Sequence, residues 1–178
     1  MKLILAVDNN FAIGINGDML FHLKADLERF KKITTGNIMV MGRKTLESLP
    51  GGKPLPNRTH IVLTKNKEYS NHDAIVVNSI KEINDKIKEI NIDNKEVFLI
   101  GGGNLVKQLL DQCQMAYITK VNKNYDNFDT FIPNLDKLDN WQLLETSDIQ
   151  SEIYKGEKLE FTYNIYINKD LYEDSYEA

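Results

Sequence analysis

The 178-residue chain has a single cysteine, Cys113, so no disulfide can form within it, and a reducing, cytosolic setting fits best. Cys113 lies among Leu109, Leu110 and Met115 and reads as a structural thiol. Histidine is scarce too: His22, His60 and His72 show no metal-ligand spacing with one another or with Cys113. Long apolar runs are missing. The N-terminal "MKLILAVDNN" carries five apolar residues in a row, too short for a signal peptide or a membrane span. Nor is there an excess of positive charge. A net charge of −4 and a pI near 5.4 argue against nucleic acid and anionic membranes as partners. No internal repeat, low-complexity tract or linker interrupts the chain.

Hydrophobic residues make up 42% and charged residues 27%, the balance of an ordinary soluble globule. The length suggests one domain, which can bury roughly 70% of its unfolded surface without staples. We place that domain at residues 1–169 and read residues 170–178 as an acidic, frayed tail.

Short apolar runs, "LILAVD", "NIMVMG", "HIVLT", "AIVV" and "EVFLI", read as buried strands. Helical spacing predicts helices over Lys24–Thr34, over "RKTLESL", over "SIKEINDKIKEI" and over "NLVKQLLDQ". Ser79 and Glu82 form a capping-box pattern, and Ile80, Ile83, Ile87 and Ile90 make one apolar stripe behind it. "NNFAIGINGDML" is rich in Gly, Asn and Asp and reads as a long mobile loop. "MAYITKV" is another strand. "WQLLE" and "LEFTYNIYI" alternate as half-exposed antiparallel strands do. The expected fold is α/β: one domain with a central, mostly parallel eight-stranded sheet, about four flanking helices and a C-terminal antiparallel hairpin. Ligands of such sheets bind beyond the carboxyl ends of the strands.

At those ends stand Gly42, Arg43, Lys44 and Thr45, then Thr64 and Lys65, then Gly101, Gly102 and Gly103 followed by Asn104. Glycines admit close backbone approach, and helix N-termini with cations attract phosphate. The basic residues, with no acidic counterpart, favour NADP over NAD. Plain turn chemistry for the glycines and a solvated face for the cations are the alternatives.

One residue breaks the pattern. Asp26 falls on the apolar side of its helix, with Leu23, Leu27, Phe30 and Thr34. A buried carboxylate is costly unless paired or neutralised. In a cleft wall it would have a raised pKa, grip an N–C–NH₂ edge with two oxygens and help deliver a proton. Alternatively it caps or pairs locally, for instance with Arg29.

From Leu3 to Ile167 the chain resembles the bacterial dihydrofolate reductases. The markers run in order: Ala6 before "IGINGDMLFHL", Asp26 in "LKADLERF" with Thr34 after it, "VMGRKTLESL", "PLPNR", "IGGG", "YITKV" and "DTFIP". The resemblance implies reduction of 7,8-dihydrofolate to 5,6,7,8-tetrahydrofolate with NADPH, feeding one-carbon metabolism and thymidylate synthesis. It also implies dihydrofolate and folate analogues as ligands; a cytoplasmic monomer is the default expectation.

The resemblance makes Asp26 and Thr119 the catalytic pair. Ile4, Leu5, Ala6, Leu27, Phe30, Leu49, Leu55 and Ile100 would line the substrate cleft, and Arg58 would grip the substrate's α-carboxylate. Ala6, Ile13, Gly14, Met19, Ile100 and Leu105 would border the cofactor. Gly42, Arg43, Lys44, Thr45, Leu63, Thr64, Lys65, Gly101, Gly102, Gly103 and Asn104 would complete its site, with a cis peptide between Gly101 and Gly102. No metal is implied.

Four departures stand out. Leu20-Phe21 replaces the family's Pro-Trp. Val106 replaces an aromatic expected near nicotinamide. Asn104 replaces a frequent Arg. "PGGKPLPNR" is one residue longer than in common relatives. Two rivals remain: a riboflavin-pathway pyrimidine reductase, which would not need Asp26 together with Arg58, and a non-catalytic nucleotide-binding module.

Overall fold

Alternation along the apolar runs decides the architecture. In Ile38–Gly42 (β4), Ile38 and Val40 join one buried cluster while Met39 and Met41 join another, so both faces of the strand are covered. Lys2–Val7 (β1), Thr59–Leu63 (β5) and Val97–Leu99 (β7) divide the same way: Leu3, Ile61 and Leu99 on one side, Ile4, Val62 and Phe98 on the other. Burying each such side chain contributes about 1.5–3 kcal/mol, so the doubly covered strands form the stable centre.

The computed structural model describes residues 1–172. The remaining elements are β2 (Ala12–Ile15), β3 (Asp18–Met19), β6 (Ile75–Val77), β8 (Met115–Val121), β9 (Thr130–Phe131), β10 (Trp141–Thr146), β11 (Gln150–Tyr154) and β12 (Glu157–Asn168). The helices are α1 (Lys24–Thr34), α2 (Arg43–Ser48), α3 (Ile80–Ile90) and α4 (Gly103–Leu109). The main sheet runs β10-β12-β8-β1-β7-β4-β5-β6, with β11 also paired to β12. Pairings from β8 to β6 are parallel, and those of β12 with β8, β10 and β11 are antiparallel. This is the expected α/β sheet, ending in an antiparallel hairpin.

The Ser79 hydroxyl accepts from Glu82 N–H at 3.1 Å, capping α3, while the Glu82 carboxylate accepts from Asn78 N–H at 2.6 Å. Ile83 is buried, and Ile80, Ile87 and Ile90 pack against the same core. Cys113 is fully buried, and desolvation pushes its thiol up to about 12.

The segment expected as a long loop is instead a small sheet. β2 and β3 form a hairpin that pairs with β9 in the order β3-β2-β9. Asn16 (φ 53°) and Gly17 (φ 76°) make its turn, the Asn-Gly pattern that suits two positive φ values. At the C-terminus, Leu171 and Tyr172 donate to the Asn168 carbonyl in a turn, and the rest of the tail lies outside the described residues. Among the described residues no helix is long and apolar enough to cross a membrane.

Candidate active site

A cavity of about 880 Å³ opens at the carboxyl ends of β1, β4, β5 and β7, roofed by α1, α2 and the β2–β3 hairpin. It gathers nearly every residue singled out in the sequence. Ile4, Leu5, Ala6, Leu27, Phe30, Leu49, Leu55, Arg58 and Ile100 line it with Asp26 at one end. Ile13, Gly14, Met19, Gly42, Arg43, Lys44, Thr45, Leu63, Thr64, Lys65, Gly101, Gly102, Gly103, Asn104 and Leu105 line the other. Thr119 is the exception: it is 2% exposed and stands behind Asp26 rather than in the cavity.

Leu27 is 43% exposed although it shares Asp26's apolar stripe. The middle of that stripe, Asp26, Leu27 and Phe30, therefore faces an open cleft, while Leu23 and Thr34 at its ends are buried in the interior. The Thr119 hydroxyl donates to Asp26 Oδ1 at 2.5 Å. Burial raises the Asp26 pKa above its ordinary 3.8; the Thr119 hydrogen bond and the Arg29 charge pull it down, and Glu152 pushes it up. Arg29 does not form an ion pair with Asp26. Its guanidinium lies 4.2 Å from the Tyr163 ring centroid and 5.9 Å from that of Tyr117.

Arg58 is held by its own neighbours. Its Nε donates to the Pro56 carbonyl at 3.0 Å and its Nη1 to Thr34 Oγ1 at 3.2 Å. His60, nearly fully buried, braces the same loop. Its Nε2 accepts from Leu55 N–H at 3.0 Å and its Nδ1 donates to the Arg58 carbonyl at 3.2 Å. Because one partner can only donate and the other only accept, the ring is the neutral Nδ1–H tautomer.

At the other end, Gly42 N–H donates to the Gly101 carbonyl at 3.0 Å, and the Gly101–Gly102 peptide is cis. A Cβ on Gly103 would lie 2.6 Å from the Phe131 carbonyl oxygen, so only glycine lets β9 lie against α4. The cations are less free than the sequence implied. Arg43 meets Glu47 at 3.5 Å, an i,i+4 pair on α2 that makes Glu47 the acidic counterpart thought absent. Lys44 lies near Asp129, whose carboxyl is held low first by Asn16 N–H and then by Thr130. Lys65 makes no ion pair among the described residues.

The whole chain but its end, residues 1–168, matches the family model described as dihydrofolate reductase. The chain belongs to the dihydrofolate reductase family. It is 38% identical over 146 residues to the dihydrofolate reductase of Bacillus subtilis (strain 168), covering 82% of each chain. It is 35% identical over 177 residues to the bifunctional dihydrofolate reductase-thymidylate synthase of Paramecium tetraurelia, covering 98% of this chain and 36% of that longer protein. Among solved structures it matches Enterococcus faecalis dihydrofolate reductase, complexed with NADP(H) and RAB-propyl. The identity is 33%, the TM-score 0.79, and 95% of this chain and 96% of that one are covered.

Two family departures look different in space. Phe21 is buried, lines the cavity, and lies 5.8 Å from the Tyr125 ring. Val106 is fully buried in the core and does not line the cavity, so its substitution for an aromatic leaves the cleft wall to other residues. Arg29, Ser48, Gln108, Asp129 and Thr130 line the cavity without having been assigned roles there. Arg29, three residues after Asp26, was the most accessible of these from spacing alone.

Proposed function

We propose that the protein reduces 7,8-dihydrofolate to 5,6,7,8-tetrahydrofolate with NADPH, through Asp26, Thr119 and the cleft between them and Lys65. The observation that carries this reading is one cleft that holds a desolvated carboxylate, Asp26, together with the cations Arg43, Lys44 and Lys65, the last without an ion pair among the described residues. The donor set suits the cofactor: Lys44, Lys65, Thr45 and Thr64 offer charge and hydroxyls to phosphates, and the glycine backbone at 101–103 admits close approach. NADPH, when bound, supplies the hydride.

The chain's own residues do the rest. Asp26 presents two oxygens to the pterin's N3 and 2-amino edge. Its raised pKa suits assistance of proton delivery to N5. That proton matters because hydride adds far more readily to an iminium than to a neutral imine. Thr119 fixes the carboxylate's rotation. Leu5, Leu27, Phe30 and Leu49 exclude water around it, which strengthens every electrostatic contact inside. Arg58, pre-aimed by Thr34 and Pro56, offers its remaining donors to the α-carboxylate. Ile13, Gly14 and Met19 cover the opposite rim from the β2–β3 hairpin.

The catalytic domain is residues 1–169. The charge balance and the buried lone cysteine support a cytoplasmic monomer with small-molecule ligands rather than nucleic acid or membrane. The test is absorbance at 340 nm. NADPH should be consumed only when dihydrofolate is present. Consumption without dihydrofolate, or none with it, sinks the reading.

A further inference from the structure

α1 starts without a cap of its own. Its N-cap residue is Leu23, which has no side-chain acceptor, although the first N–H groups of a helix lack intrahelical partners. The acceptor comes from far along the chain. Glu152 on β11 accepts from Lys24 N–H at 2.7 Å with Oε2 and from Ala25 N–H at 3.0 Å with Oε1. Asp26 is the next residue, so the helix carrying it is clamped by a second carboxylate at its positive end.

The same hairpin touches this neighbourhood twice more. Tyr163 of β12 pairs in register with Thr119 of β8, and its ring supports the Arg29 guanidinium. The groups facing Asp26 are therefore Arg29 on α1, Thr119 on β8, Glu152 on β11 and Tyr163 on β12. Burial and then the charge of Asp26 raise the Tyr163 pKa, which places the Tyr163 hydroxyl within electrostatic reach of Asp26.

We propose that Glu152 is a positioning residue that clamps the first turn of α1 and sets the electrostatic field at Asp26. Two effects act in the same direction. An unopposed helix N-terminus favours an ionised Asp26, and Glu152 neutralises that end. Its own charge further disfavours a second carboxylate nearby. Arg29 and Thr119 act the other way, so the carboxyl is balanced between two charged neighbours of opposite sign.

The inference rests on the Asp26 reading, so the experiment separates them. The Asp26 carboxyl of the ligand-free protein is titrated by carbon-13 NMR, and the pH profile of the hydride step is measured on the same samples. Glu152 is half-exposed on a hairpin, so Glu152→Gln and Glu152→Asp should both fold. Glu152→Gln should lower the Asp26 midpoint by about half a pH unit at low salt, less at high salt. The hydride rate on the alkaline side should then fall about threefold, the same half unit read as a rate. Glu152→Asp keeps the charge and should stay near the parent midpoint. An unmoved midpoint in Glu152→Gln, with only a lower melting temperature, would falsify the inference and leave a plain helix cap. A moved midpoint with an unmoved rate profile upholds Glu152's effect and removes Asp26 from the chemistry.

Discussion

At one end of the cleft Asp26 shares an apolar lining with Leu5, Leu27 and Phe30 and has Thr119 behind it; at the other, Lys44 and Lys65 stand exposed and Arg43 is half-exposed. The first end works by desolvation: a single charge is costly there, its neighbours shift its pKa, and one hydrogen bond counts heavily. The second works by number. Each cation is screened by water and salt, and two already have acidic neighbours, so no single one dominates. Substitutions should therefore be severe and pH-dependent at the first end, modest and salt-dependent at the second.

Asp26→Asn should produce the largest effect. The hydride step at neutral pH should fall by about 10²–10⁴, the scale of lost general acid–base assistance, and recover partly as pH falls. Stability should move the opposite way. Because the folded-state pKa lies above the unfolded value near 3.8, wild-type stability declines as pH rises through that interval. Asn removes this decline, so the variant should melt higher at pH 7 and lose its advantage toward pH 3.8. Near-normal turnover in the folded variant removes Asp26 from catalysis.

Arg58→Ala should come next, raising KM for dihydrofolate by about 2–4 kcal/mol in free-energy terms. A pterin without the glutamate tail should hardly notice. Equal loss for both substrates would mean that Arg58 only supports the loop through Pro56 and Thr34.

Thr119→Val keeps the shape and deletes the donor to Asp26. That hydrogen bond lowers the carboxyl pKa, so its loss should raise the midpoint of the hydride pH profile by about one unit. A downward shift would contradict the sign.

Lys65→Ala should be the mildest, weakening NADPH by about 1 kcal/mol at low salt and NADH less, with the difference fading at high salt. A penalty that ignores salt, or falls equally on both cofactors, would erase the contrast between the ends.

Much of this was readable locally. The bounds of α1, the Ser79 cap and the two-faced strands follow from patterns spanning only a few residues. The markers in "VMGRKTLESL" and "IGGG" fall into one cleft because strand ends in a parallel sheet share an edge, and Thr119 of "YITKV" reaches it only through its hydrogen bond to Asp26. What escaped depends on distance along the chain. Glu152 reaches α1 from 128 residues away, and no period in either segment signals it. The β2–β3 hairpin gains its order from β9, more than a hundred residues later, as in the Asn16 N–H bond to Asp129. The Arg43–Glu47 pair was legible: the helix predicted over "RKTLESL" holds both residues at i,i+4 spacing, and reading the cations as lacking an acidic counterpart overlooked it.

His60 is the quiet partner of the Leu55–Arg58 loop, proposed above to hold the substrate's tail. Its two hydrogen bonds can both be made in one protonation state only, so the loop's shape is tied to a proton count. Desolvation lowers its pKa below 6.5, so the unfolded chain takes up that proton first as pH falls. The stability His60 contributes is whole above 6.5 and drains away on acidification through its lowered folded value. If Arg58 holds the tail as proposed, acid acts on the two ends of the substrate in opposite senses: it supplies the proton that the pterin needs, and it loosens the Leu55–Arg58 loop.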